Sequence, residues 1–580
     1  MYHQRMSGRR VAFALATVMV VSLVFVGRLV DVQIVRAAEL QEQSLQVRTT
    51  SETLWASRGS IVDQFGNDLA LDVDRYDISA NPSKVGDFRR TGVVVPLAQA
   101  VAEIAQVTGA NYDQMLSAIS ADPTVQFTYL VKGVTPEAKD ALRELDIPWL
   151  QIDLIRERIY PFGPVTANLT GMLGRDEPLG GVELAEDDCL MAQNGFANYQ
   201  QGADGVRLPG TTTLVEQPIH GGTAHLTIDS DLQWYVLQQL AEHGGRLQAQ
   251  QASAIVVRVN DGHILAAADW PTFDPNDFSD APPEHMGART FSAPYEPGSI
   301  MKSMGVAMLI DAGHTSVSDR IVAPGFYNIG SGRFIKNMLV SDARQLTTAG
   351  VLQTSSNTGM AVLGERMPQK QAYDYFRAFG FGEKTAVDFL GESRGVLRTP
   401  EDHDPFTRFA QLYGQGISVT AVQMAGAYQA LANDGVRLPL RLYDGCTTSL
   451  GEFIEAPVAE PIQVVSASAA RQTVNILEAV VTQSALRPVL EIPGYRVAAK
   501  TGTAEIASAS GYGSERVISL AGMAPAEDPE YVVLVSFYKP QSSKVSSAAA
   551  PAFTDLMSHV LKHYRVAPSS EPAVVPPLTW

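Results

Sequence analysis

The chain has 580 residues, with 62 acidic against 44 basic side chains and a formal charge of −18. That balance argues against a general nucleic-acid binder, which needs a basic face to neutralise phosphates. At 45% hydrophobic and 18% charged residues the composition is globular, and the length allows roughly two to four domains with ordinary cores. Two cysteines exclude a disulfide-rich scaffold and a multi-cysteine zinc or iron–sulfur site. Cys189 and Cys446 could form one bridge in an oxidising compartment, or remain two thiols.

Val11 to Gly27 is an uncharged, mostly apolar run of 17 residues. As a helix it spans about 25 Å, and Arg28 can snorkel outward to lengthen it. Arg5, Arg9 and Arg10 precede it, which predicts a cytoplasmic N-terminus and an extracytoplasmic body. A cleaved signal peptide fits less well, because the small pair Ala37-Ala38 lies ten or more residues past the run. The stretch RLVDVQIVRAAEL continues the helical pattern without a break. The predicted order is a cytoplasmic tail (1–10), a membrane anchor (11–36), a non-catalytic domain (37–222), a catalytic domain (223–566) and a Pro-rich tail (567–580).

Residues 40 to 225 mix amphipathic helical stretches, PLAQAVAEIAQVTG and PEAKDALRELD, with strand-like runs such as VQFTYLVKGV. The glycosylation-type triplet Asn168-Leu169-Thr170 reads as accidental. From residue 223 a strand, a turn at Asp229 and a helix are expected, then a hairpin around Asn260-Asp261-Gly262. A strand pair near the end, RVISLAGMAPA and EYVVLVSFYK, completes an α/β or α+β domain with a partly antiparallel sheet. The Pro-rich segment Ala567–Trp580 is expected to be disordered or extended.

Three short motifs in this second half carry chemistry. Ser299-Ile300-Met301-Lys302 opens a predicted helix after Pro297-Gly298, so Ser299 and Lys302 share one face. Ser299 falls in the first turn, where backbone N–H groups favour developing negative charge. A serine nucleophile needs a base, and a lysine with a lowered pKa can serve. Ser355-Ser356-Asn357 lies between two helical patterns; a helix cap is its ordinary explanation, a proton relay its catalytic one. Lys500-Thr501-Gly502-Thr503 reads as a strand in which glycine admits a close backbone and the edge can take an extended peptide. Each motif alone is weak or no more than suggestive. Together, in this order and 56 and 145 residues apart, they make the signature of the penicillin-recognising serine acyl-transferases.

The chain resembles class B penicillin-binding proteins along almost its whole length. Arg58-Gly59-Ser60-Ile61-Val62-Asp63 with Gly66 and Leu69-Ala70, Arg158-Ile159-Tyr160-Pro161 and Gly181-Val182-Glu183 resemble the motifs of the family's pedestal. Leu226-Thr227-Ile228-Asp229 and Gly414-Gln415-Gly416 resemble motifs of its transpeptidase domain. Gln64, Phe65, Asn168 and Ala421 depart from the usual residues, which bears on loop shape and not on chemistry. The resemblance implies an α/β (α+β) transpeptidase domain with a mixed or antiparallel sheet, an α+β pedestal and one transmembrane helix.

It also implies a mechanism. Ser299 attacks the carbonyl between the last two D-alanines of a peptidoglycan stem peptide, and Lys302 takes its proton. Ser355 passes a proton to the leaving D-Ala, and Asn357 positions Lys302 and the substrate amide. The N–H groups of Ser299 and Thr503 form the oxyanion hole, and Lys500, Thr501 and Thr503, around Gly502, hold the terminal carboxylate. β-Lactams acylate the same serine; no metal or organic cofactor is implied. The single anchor, Arg28 to Gln33, the modest pedestal and the absence of appended modules most resemble the septal type, with a polytopic glycan polymerase and other division proteins as partners. An elongation-type enzyme is the alternative. A D,D-carboxypeptidase or β-lactamase-like hydrolase does not need the anchor and pedestal, and a non-catalytic scaffold would be expected to lose a motif residue. A β-lactam sensor would carry a longer signalling part, and a bifunctional enzyme a glycosyltransferase domain.

Overall fold

The computed structural model describes residues 8–122, 124–175, 177–202, 207–330, 332–338, 342–508 and 511–580; Arg5 and the first seven residues of the predicted cytoplasmic tail lie outside them. The chain divides into two compact units. One comprises the residues up to Ser57 with Ala192–Gly221, the other Arg58–Met191 with Gly222–Trp580.

In the first unit, helix α1 (Gly8–Val30) has no buried residue, as an apolar helix without a partner must. With a π-helical turn at Asp31–Val35 it forms a candidate membrane span of 28 residues, about 42 Å long. The expected unbroken continuation fails at Arg36, whose non-helical backbone (φ −107°, ψ 11°) separates this span from the helix Ala37–Arg48. Asp31 supplies a local reason, since it draws Arg28 to 2.5 Å and Arg36 to 3.5 Å. Thr49–Leu54, Gly195–Gln200 and Thr213–Glu216 complete this unit as a small antiparallel sheet.

In the second unit, the long strand Asp68–Ala80 pairs antiparallel with both Thr128–Val134 and Leu150–Ile159. Helices Leu97–Thr108 and Pro136–Glu144 cover it, burying Val101, Ile104 and Leu142 against Ile78 and Trp149. The same sheet continues without interruption into the catalytic half. Ile61–Val62 runs parallel to Thr223–Leu226, which pairs antiparallel with Tyr443–Thr447. Cys189 and Cys446 are disulfide-bonded across this junction, which answers the question their sequence left open. Asn168 is buried and donates to the carbonyls of His285 and Gly287, so the accidental reading of its triplet agrees with its structural use.

The catalytic half is built on five strands: β1 (Gln251–Arg258), β2 (Ile264–Trp270), β3 (Ala498–Ser508), β4 (Gly511–Ala524) and β5 (Tyr531–Tyr538). Their order is β2-β1-β5-β4-β3, antiparallel throughout among the described residues, and β3 is an edge. The β1–β2 hairpin turns at the expected Asn260-Asp261-Gly262, where Gly262 has φ +74°. Alternate residues serve opposite faces. Ala254 and Val256 join Val533 and Val535 under helices α2 (Ser230–Leu247) and α8 (Ala550–His563). Ile255 and Val257 join Val532 and Leu534 under α3 (Lys302–Asp311), α6 (Ala421–Ala432) and α7 (Ala467–Thr482). Helices on both faces explain why β5 reads as an apolar run broken only by Ser536 rather than as an alternation. Of two short helices, α4 (Thr348–Gln353) ends before the Ser-x-Asn segment and α5 (Asn357–Gly364) begins at its Asn357, so the segment joins two helices as predicted. The Pro-rich tail is extended and docked, not disordered: Thr579 bridges Leu346, and the Trp580 indole donates to the Leu346 carbonyl at 3.1 Å.

Candidate active site

Pro297 and Gly298 lead into a 3₁₀ turn, Gly298–Met301, that delivers Ser299 at the mouth of α3. Gly298 sits at φ +58°, and a Cβ there would lie 2.5 Å from the Thr503 carbonyl oxygen. Gly414 crosses the same point, at φ +81°, its own Cβ position 2.1 Å from the Gly298 carbonyl. The Gly298 N–H donates to the Gly414 carbonyl at 3.0 Å. Glycine is thus required twice, by backbone conformation and by the approach of two other segments.

Lys302 follows one turn later and is fully buried. Its Nζ donates to the Ser355 carbonyl at 2.5 Å, to Asn357 Oδ1 at 2.6 Å and to Ser355 Oγ at 3.2 Å. Burial, with the Lys500 charge as the second cause, holds the Lys302 ammonium well below the usual lysine range. Ser355 makes this reach possible by adopting a left-handed backbone, φ +57°, uncommon for a residue with a side chain and found where a site over-determines it. Ser356 is the cap of α5, accepting from the Gly359 N–H at 3.0 Å, so the cap explanation applies to Ser356, while its neighbours Ser355 and Asn357 hold Lys302.

Lys500 reaches the same point from the edge strand β3. Its Nζ donates to Ser355 Oγ at 3.0 Å and to the Thr501 carbonyl at 3.0 Å, and burial pushes its pKa down to about 7. Ser355 Oγ is therefore shared by two buried lysines. Gly502 faces inward; a Cβ there would lie 2.9 Å from the Pro297 carbonyl, which is how β3 comes to lie against the turn bearing Ser299. Thr501 and Thr503 face outward, into a cleft of about 680 Å³ that Ser299, Ser355 and Asn357 also line. Five of the eight motif residues named from the sequence thus line one cleft, while Lys302 and Lys500 lie buried against Ser355 and Gly502 packs on the Pro297 turn. A smaller cavity of about 390 Å³, lined by Arg289, Tyr538 and others, contains none of them.

The chain also matches known families. Residues 252–558 match the family described as penicillin binding protein transpeptidase domain, and residues 53–226 the one described as penicillin-binding protein dimerisation domain. The chain is a class B penicillin-binding protein. It is 32% identical to penicillin-binding protein PbpB of Mycobacterium tuberculosis, over 97% of this chain and 86% of that one. It is 30% identical to peptidoglycan D,D-transpeptidase FtsI of Escherichia coli K12, over 98% and 94% of the two chains. A crystal structure of penicillin binding protein 3 from Mycobacterium tuberculosis, complexed with aztreonam, matches at a TM-score of 0.70 and 27% identity, covering 91% of this chain and all of that one.

This penicillin-binding protein has supporting residues that sequence reasoning missed. Asn337 Oδ1 accepts the Asn357 N–H at 2.7 Å, and the Lys336 carbonyl accepts Asn357 Nδ2 at 3.0 Å, which turns the Asn357 carbonyl oxygen toward Lys302. Tyr428, buried in α6, donates to the Ile300 carbonyl at 3.0 Å and anchors the turn behind Ser299. A side-chain amide whose oxygen is occupied needs an acceptor for its NH₂, so a partner for Asn357 was inferable. No local pattern says that it comes from Lys336, 21 residues earlier.

Proposed function

We propose that this penicillin-binding protein cross-links peptidoglycan stem peptides as a membrane-anchored D,D-transpeptidase acting through a Ser299 acyl-enzyme, and that β-lactams acylate the same serine. The observation that carries the assignment of roles is the pairing of buried Lys302 and Lys500 on a single hydroxyl, Ser355 Oγ. A neutral Lys302 amine takes the Ser299 proton as Oγ attacks the D-Ala–D-Ala carbonyl. The backbone N–H groups of Ser299 and Thr503 receive the oxyanion, an interaction worth roughly 3 kcal/mol per donor. The proton travels by Ser355 to the leaving D-Ala nitrogen, and an amine of a second stem peptide then takes the acyl group, regenerating Ser299. The substrate carboxylate meets Thr501, Thr503 and the Lys500 charge, with the peptide lying along the β3 edge.

The residues 37–222 and 223–566 are assigned as pedestal and transpeptidase domain. The N-terminus is placed in the cytoplasm, on the basic flank Arg5, Arg9 and Arg10, and the body outside, which the Cys189–Cys446 bridge supports because disulfides persist in oxidising compartments. Within the family we assign the septal role, with a polytopic glycan polymerase and other division proteins as partners, on the likeness of the anchor and of Arg28 to Gln33.

The decisive experiment is intact mass of the detergent-solubilised chain after benzylpenicillin, with peptide mapping of the adduct. One lasting adduct on Ser299 is expected; rapid penicillin turnover without a lasting adduct would make the chain a hydrolase, and no reaction by a folded sample a scaffold. The acylation rate is further expected to be bell-shaped in pH. It rises as Lys302 loses its proton and falls as Lys500 loses its own, near about 7 in the free enzyme. The two sites interact, so the limbs belong to the pair. Lys500→Arg, whose guanidinium stays charged, should move the alkaline limb upward, and an unmoved limb would remove Lys500 from that role.

A further inference from the structure

The last four residues fold back onto the segment that presents Ser355. Arg320–Ala323 and Arg344–Thr347 form an antiparallel pair, and the tail adds to it through the Leu346–Thr579 bridge. The Thr347 N–H donates to the Leu578 carbonyl at 3.0 Å, and Thr347 Oγ1 donates to the Pro577 carbonyl at 2.6 Å. The Trp580 indole N–H is bonded to the Leu346 carbonyl, and the Arg320 guanidinium stands 5.4 Å from the indole ring. Leu578 packs on the main core.

Thr347 is the hinge of the arrangement. While its hydroxyl donates to the tail, the same oxygen accepts the Gly350 N–H at 3.0 Å and caps α4. That helix has only six residues, and its far end runs through Thr354 into Ser355. Gly350 carries the sharpest sign of the tail: a Cβ there would lie 1.9 Å from the Leu578 carbonyl oxygen. Its φ is not in the left-handed region, so the backbone does not demand glycine, and glycine is a poor helix former. The room it leaves is used by the tail.

We propose that residues 577–580 are a positioning strap, which grips the start of α4 and thereby holds the Ser355 carbonyl and hydroxyl on Lys302 and Lys500. The inference rests on the reading of Lys302 as the base for Ser299. The strap touches neither substrate nor the reacting atoms, and it acts on the geometry of proton transfer, where small misplacements are costly.

The test compares four forms of the detergent-solubilised protein: the full chain, a chain stopped after Pro576, and each with Gly350→Ala. Benzylpenicillin acylation is followed by intact mass over time and over concentration, giving an amplitude, a limiting rate constant and a half-saturation. Stopping the chain is expected to lower the limiting rate constant roughly ten- to hundredfold, the scale of an ångström-level misplacement. Half-saturation and amplitude should stay unchanged, because Thr501 and Thr503 are untouched and the fold persists. Gly350→Ala should slow the full chain comparably and have no further effect on the stopped chain, where its clash partner is gone. An unchanged rate constant in the stopped chain overturns the strap. So does a loss confined to amplitude, which would mean only fewer folded molecules, or an equal effect of Gly350→Ala in both backgrounds. Failure of the full chain to label Ser299 at all would overturn the transpeptidase reading and the strap with it, whereas normal labelling of the stopped chain overturns the strap alone.

Discussion

Replacing Lys302 with methionine is expected to slow acylation of Ser299 by benzylpenicillin about 10²–10⁴-fold, the range for loss of a positioned general base. The substitution suits the site because the stem is fully buried and methionine keeps an unbranched chain of similar length. Stability is pulled both ways. The Ser355 carbonyl and Asn357 Oδ1 lose a donor, at about 1–3 kcal/mol for each acceptor left unpaired. Against this, the cost of burying an amine beside Lys500 disappears. The unfolding midpoint should therefore move little while the rate collapses. Lys302→Arg separates the two roles a lysine can play. A guanidinium stays protonated, so it can supply charge and cannot accept a proton. Both variants should be slowed on this scale in the mass-based time course, and an arginine variant retaining most of the rate would show that Lys302 works as a fixed charge.

The second large effect is expected at a residue that does not line the cleft. Glu183 is wholly buried and receives Arg58 Nε at 2.7 Å, Arg158 Nε at 2.7 Å and the Tyr160 hydroxyl at 3.2 Å. Arg58 also holds Asp187 at 2.6 Å, and Arg158 holds Asp72 at 3.2 Å. Although burial opposes it, the adjacent Glu183 and Asp187 carboxylates keep the Arg58 pKa raised. Glu183→Leu removes the shared anion and leaves two guanidiniums with one carboxylate each. Breaking a buried ion pair from one side costs about 3–5 kcal/mol. A clear fall in the unfolding midpoint of the detergent-solubilised chain is the expected result, with Glu183→Gln intermediate because it keeps an acceptor. An unchanged midpoint would mean that water or the remaining carboxylates compensate fully.

That cluster also shows how sequence and structure divide the explanation. Arg58, Arg158, Tyr160 and Glu183 were legible as members of separate motifs, yet their spacing gave no reason to connect them. The fold makes them one charge network. Asp63 behaves alike: its carboxylate accepts from the Ser230 hydroxyl at 2.7 Å, tying the first pedestal motif to the start of the catalytic half. Burial pushes the Asp63 pKa up, and the bonds from Ser230, Asn67 and Phe65 outweigh it and hold it low.

The anchor, the β1–β2 hairpin, the strands around Lys500 and the helices flanking Ser355 were readable in the sequence because each depends on local periodicity, turn chemistry or apolar length. The three motifs were readable as chemistry because their residue types and order constrain what they can do together. Other features needed the tertiary structure: the shared Ser355 hydroxyl, the Cys189–Cys446 bond across 257 residues and the return of the Pro-rich tail to Leu346. All of these join residues far apart in the chain, where no local pattern specifies a partner. Their pairing is decided by which surfaces the packed sheets and helices bring within hydrogen-bonding reach.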